Sequence, residues 1–111
     1  MIDWARVAEF YDEVGAEDFD EVVELFLEEV VEAMERISPN AACDALENDF
    51  HSIKGSALNL GFRELADHCY QGEKAAAGGS VPRSLIDELP QLYATSLAQF
   101  KDGRGQLDTA A

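Results

Sequence analysis

The sequence predicts an all-α protein: an antiparallel up-down-up-down four-helix bundle with a short N-terminal capping helix. Three observations lead there. Apolar residues recur at steps of three and four through each long segment, which places them on one helical face. No stretch alternates apolar and polar residues as a half-buried strand would. Glycine, proline or asparagine marks the boundaries, and the connections are short enough that successive helices must run antiparallel.

Residues 3–14 form the short first helix. Asp3 is its N-cap, Ile2 and Val7 are spaced as a hydrophobic staple, and Trp4, Val7, Tyr11 and Val14 share a face. Gly15 stops it. Asp18, with Glu21 three residues on, reads as an acidic capping box opening a long helix. Its apolar positions are Phe19, Val22, Val23, Phe26, Val30, Met34 and Ile37, while Glu24, Glu28, Glu32 and Glu35 line a solvated face.

Ser38-Pro39-Asn40 breaks the chain, and Asn40 is placed to cap the next helix. That helix runs from about Ala41 to Leu60, burying Leu46, Phe50, Ile53, Ala57 and Leu60. Gly61 supplies the left-handed residue that ends it. A fourth helix, Phe62 to about Ala77, turns Leu65, Ala66, Cys69, Gly72 and Ala76 inward before Gly78-Gly79-Ser80. Pro82 suits the first turn of a last helix with Leu85, Leu89, Leu92, Ser96, Leu97 and Phe100 toward the core. Pro90 should kink or split it near Leu89. Residues 1–101 form one domain, and Asp102 to Ala111, small and polar, reads as a disordered tail.

The 111 residues suffice for one core without disulfide or metal support. With 23 acidic against 8 basic residues, the formal charge of −15 opposes phosphate backbones and anionic lipid. Nucleic acid and membrane are therefore not expected partners. No apolar run approaches the ~18 residues that span a bilayer, and MIDWARVAEF lacks the basic start and apolar block of a secretory signal. A cytoplasmic location is expected. Cys43 and Cys69 form no C-x-x-C and read as buried reduced thiols.

The stretch HSIKGSALNLGF, His51 to Phe62, stands apart. At ~100° per residue, His51 lies roughly 140° from the centre of the buried stripe, so it faces solvent with Lys54, Gly55 and Leu58 on its side. Glycine inside a helix costs about 1 kcal/mol relative to alanine, so Gly55 calls for a compensating reason. The turn at Gly61 and Phe62 makes a hairpin in which facing residues have index sums near 123. His51 is then level with Gly72, and Glu73 is within a turn of it. His68 has no such company and is expected to be exposed without function.

The pattern His, any, aliphatic, Lys, Gly, any, small, any, any, hydrophobic, Gly is matched without a gap by His51, Ile53, Lys54, Gly55, Ala57, Leu60 and Gly61. It resembles the histidine phosphotransfer (HPt) domain of bacterial phosphorelays, and the likeness continues through Phe62, Leu65, Cys69 and Glu73. Gly72 departs from it, because such domains more often carry an apolar residue there, and looser packing is expected as a result. The resemblance implies that Nε2 of His51 takes a phosphoryl group from a receiver-domain aspartate and later passes it to another receiver. It also implies that Glu73, with Gln71 the alternative, accepts a hydrogen bond from Nδ1.

Lys54 would donate to the phosphoryl group, and Gly55 would leave clearance for an incoming aspartate. Leu58, the edge of Ala57 and the groove between the second and third helices would dock the partner. The expected partners are response-regulator receiver domains and a hybrid histidine kinase, and the protein is expected to be a monomer. No cofactor is expected on this chain, and magnesium would sit on the receiver. No ATP-binding motif is present, so the protein would be a phosphoryl carrier without autokinase activity. A kinase dimerisation domain is disfavoured, since an acid usually follows its histidine and a proline stands five on, where this chain has Ser52 and Ser56. A di-metal bundle needs Glu-x-x-His pairs, but Asn48 and Leu65 stand in those places. The remaining alternative is a non-catalytic acidic helical-bundle interaction module.

Overall fold

The computed structural model describes residues 1–105 and 107, and among these it is all-helical. The elements are α1 (Trp4–Val14), α2 (Phe19–Arg36), α3 (Cys43–Asn59), α4 (Arg63–Ala77), α5 (Arg83–Asp87) and α6 (Leu89–Gly103). No helix of the described residues is long and apolar enough to cross a membrane.

Helix α3 lies at the centre of the packing, against α2 on one side and α4 on the other, and α4 packs in turn on α6. Its buried stripe is the expected one: Leu46, Phe50, Ile53, Ala57 and Leu60 are all under 4% exposed. The α3–α4 turn is closed by a Schellman arrangement. Gly61, at φ 71°, donates to Leu58 O, and Phe62 donates to Ala57 O at 2.8 Å. A side chain at Gly61 would also collide with Asp3 O at 2.7 Å, because α1 is tied there by Asp3 N–H donating to Gly61 O. The α6 end joins the same corner. Trp4 stacks on Phe100 at 5.7 Å, and Phe62 meets the same ring edge-on.

Asp3 caps α1 as expected, accepting from Arg6 N–H. Phe10, outside the expected face, is buried because it packs on Phe19 and Phe26 of α2. The other expected N-terminal side-chain caps do not form. Asp18 stands at the N-cap of α2 with no side-chain bond, and α3 begins at an Ala42 N-cap, not at Asn40. Pro90 splits the last helix: α5 ends before Glu88, and the proline sits in the first turn of α6, where its missing N–H is harmless.

Two expectations are corrected. His68 is not exposed, since its side chain is only 10% accessible and its Nε2–H donates to Leu85 O at 2.6 Å across the joint between α4 and α5. Order also extends past Lys101. Asp102 and Gly103 continue α6, Arg104 pairs with Asp20 at 2.9 Å, and Leu107 reaches the core. These long-range contacts tie down what composition alone marks as tail. The rest of that expectation, residues 106 and 108–111, lies outside the described residues.

Candidate functional site

The α3–α4 hairpin brings His51, Lys54 and Glu73 together. The imidazole is 67% exposed, and its Nδ1 lies 2.6 Å from Oε1 of Glu73. The other carboxylate oxygen, Oε2, accepts from Nζ of Lys54, also at 2.6 Å. One carboxylate thus serves two donors. The hydrogen bond from Lys54, and after it that with His51, outweighs partial burial and holds the Glu73 carboxyl below the usual carboxylate range.

An ionised carboxylate can only accept, so the hydrogen of a neutral imidazole must be on Nδ1. Nε2 is then the lone-pair nitrogen, on the outward side of an exposed ring. The arrangement is that of an oriented nucleophile: a base held in one tautomer by a third group.

Gly55 is exposed, and a Cβ there would meet nothing within 4 Å. Beside it Leu58 is 53% exposed. Ala57, expected to offer an edge to a partner, is fully buried, because it lies on the same apolar stripe of α3 as Phe50, Ile53 and Leu60. It therefore offers no edge to a partner. Gln71 is exposed on the α5 side of α4, in a depression with Lys74 and Leu85, so Glu73 is the residue that meets the imidazole. Arg63, the first residue of α4 after the hairpin bend, pairs with Asp3.

Tyr70 escaped the sequence reading. Its ring is 48% exposed and has the ammonium groups of Lys54 and Lys74 at 5.4 and 5.1 Å from its centroid. The hairpin sum that sets His51 level with Gly72 also sets Tyr70 level with Lys54, so the signal was there. Tyr70 thus lies beside the ammonium group that donates to the second oxygen of Glu73.

No curated protein and no solved structure gives a match to the chain. The family model described as the Hpt domain matches residues 21–100, a span that includes α3, α4 and every residue of the His51 site. The matched span covers well over half of the chain, and the chain belongs to the Hpt domain family.

Proposed function

We propose that this protein is the histidine carrier of a two-component phosphorelay, taking a phosphoryl group from a receiver-domain aspartate on His51 and delivering it to another receiver aspartate. The observation that carries the reading is the Glu73 carboxylate on Nδ1, which leaves Nε2 of an exposed ring free to attack.

The Nε2 lone pair forms the N–P bond as the P–O bond to the aspartate breaks, and the electron pair leaves with the aspartate as carboxylate. Nε2 carries no proton beforehand, so none has to be removed. The phosphorylated ring becomes cationic with Nδ1–H retained, and Glu73 lies against that charge. The reverse attack by a second aspartate returns the ring to its starting tautomer. Lys54 has three donors and one already on Glu73, so its ammonium can add a bond to the phosphoryl oxygens. Magnesium comes with the receiver, since the carboxylate nearest His51 is committed to His51 and Lys54.

In this reading α2, α3, α4 and α6 form an antiparallel up-down-up-down bundle with α1 across the end that holds the α3–α4 turn. The Arg36–Asp49 pair across the α2–α3 bend and the His51–Glu73 pair across the α3–α4 hairpin support it. The protein acts as a cytoplasmic monomer, presenting Gly55 and Leu58 to the receiver beside His51. Incubation with a phosphorylated receiver tests the reading. Acid-labile, alkali-stable label should appear on the wild type and be absent from His51→Gln; label persisting in the variant places the phosphoryl group elsewhere.

A further inference from the structure

The helices of this fold meet along unequal seams. Close packing joins α2 to α3, α3 to α4 and α4 to α6, but α2 and α6 approach each other only weakly. Two adjoining depressions run between them and share Glu24 and Leu27. Val31 and Tyr93 continue the first, and Leu97 and Phe100 the second. Leu27, Val31, Tyr93 and Leu97 are half-buried, so the groove has an apolar floor with one side open to solvent.

The rim of the first depression is acidic. Glu24, Glu28 and Glu32 are exposed, stand one turn apart on α2, and have no ion pair among the described residues. Like charges at this spacing weaken a helix and have no compensating partner among the described residues. The cations of the seam, Lys101 and Arg104, sit at its far end, where Arg104 is engaged by Asp20.

We propose that the α2–α6 groove docks a cationic amphipathic helix of a partner protein, its apolar stripe on Leu27, Val31 and Tyr93 and its cations on Glu24, Glu28 and Glu32. From Asp20 to Glu32 the groove runs for about 18 Å at ~1.5 Å per residue, enough for anchors at i, i+3 or i+4, and i+7 of an incoming helix. Charge selects this occupant over a second copy of the chain, because a molecule of formal charge −15 repels itself. The groove shares no residue with the His51 site, so a receiver on α3–α4 and a helix on α2–α6 can be bound together. The proposal does not depend on His51 chemistry.

The test uses a synthetic helical peptide of about 14 residues, with leucines at i, i+3, i+4 and i+7 and lysines elsewhere, and a permuted peptide of the same composition without the stripe. Fluorescence anisotropy at roughly physiological ionic strength, where surface charges are screened beyond ~8 Å, should show the striped peptide binding at least about tenfold tighter. The triple variant Glu24→Gln, Glu28→Gln, Glu32→Gln should weaken it by about tenfold. The triple Asp12→Asn, Glu17→Gln, Asp67→Asn makes the same charge change on exposed sites elsewhere and should stay within about twofold. Amide shifts should centre on Leu27, Val31, Tyr93 and Leu97, and His51→Gln should bind as the wild type does. Equal binding of the permuted peptide, an equal loss in the second triple, or shifts centred on α3 and α4 would overturn the proposal.

Discussion

The ring of Phe50 lies against the backbone of α4 at Gly72, in the space a side chain there would need: a Cβ on Gly72 would stand 2.6 Å from Cδ1 and Cε1 of that ring. Each of the two residues directly precedes a member of the site, His51 and Glu73. The close approach of α3 and α4 at this point brings Nδ1 and Oε1 to 2.6 Å. Where a loose spot was expected, the phenyl ring fills the gap. Phe50 is fully buried and cannot swing aside. Gly72→Ala should therefore destabilise the fold by about 1–2 kcal/mol despite alanine's better helix propensity, because overpacking outweighs that gain. Urea unfolding at constant m checks it.

Glu73 titrates with a lowered pKa, and this sets a sign. Its contribution to stability is fully present above the unfolded value of 4.5 and is lost as pH falls through the lower folded value. Glu73→Gln removes that contribution, so the stability difference between wild type and variant should hold steady above 4.5 and shrink as pH falls below it. Denaturant midpoints for both proteins across that range give the measurement. A difference that does not shrink below 4.5 would mean Glu73 is not held ionised by its neighbours.

The hairpin geometry was legible because it depends on one local feature, the glycine turn at Gly61, and on helical arithmetic from there. That was enough to pair His51 with Glu73. What escaped depends on contacts between distant parts of the chain. His68 is covered because α5 folds back over α4, and Arg104 finds Asp20 across 84 residues. Periodicity on a single helix does not record which neighbour will cover its flank. Phe10 illustrates the same limit, since its burial is decided by Phe19 and Phe26 on the next helix. The burial of Ala57 was legible from the apolar stripe, and only the edge it was expected to offer a partner is missing, since about 100° of helix turn separates it from the outward-facing Leu58.

Lys54 has its ammonium on Glu73 in the resting site and is half-sheltered, with 22% of its side chain exposed. Lys54→Gln keeps most of the side-chain length but removes the charge. Phosphoryl acceptance by His51 should slow by about tenfold, equivalent to ~1.4 kcal/mol in the barrier, because the incoming anion loses its cation. Single-turnover transfer from a phosphorylated receiver measures it. Lys54→Arg should retain more of the rate than Lys54→Gln.

The two thiols should behave differently. Burial, with the Glu73 charge adding to it, pushes the Cys69 thiol up to about 12, while Cys43 is half-exposed at the start of α3. Thiolate is the reactive form, so a disulfide-exchange reagent near neutral pH should label Cys43 quickly and Cys69 only on unfolding. Cys43→Ser should abolish the fast phase and leave the slow one.

Gly55 separates docking from folding. It is exposed inside α3, and a Cβ there meets nothing within 4 Å, so no contact within the fold calls for glycine. Gly55→Ala should raise stability by about 1 kcal/mol through helix propensity alone. Gly55→Leu adds bulk one turn from His51 on the same exposed side and should leave the fold at least as stable as the wild type. If the surface beside the histidine must receive a receiver's aspartate, transfer to the leucine variant should fall by tenfold or more (about 1.4 kcal/mol) while Gly55→Ala stays within about threefold. Thermal unfolding and single-turnover transfer on the same preparations give both numbers. Equal rates for the two variants would mean the partner approaches from another direction, and the clearance at Gly55 would then need a different reason.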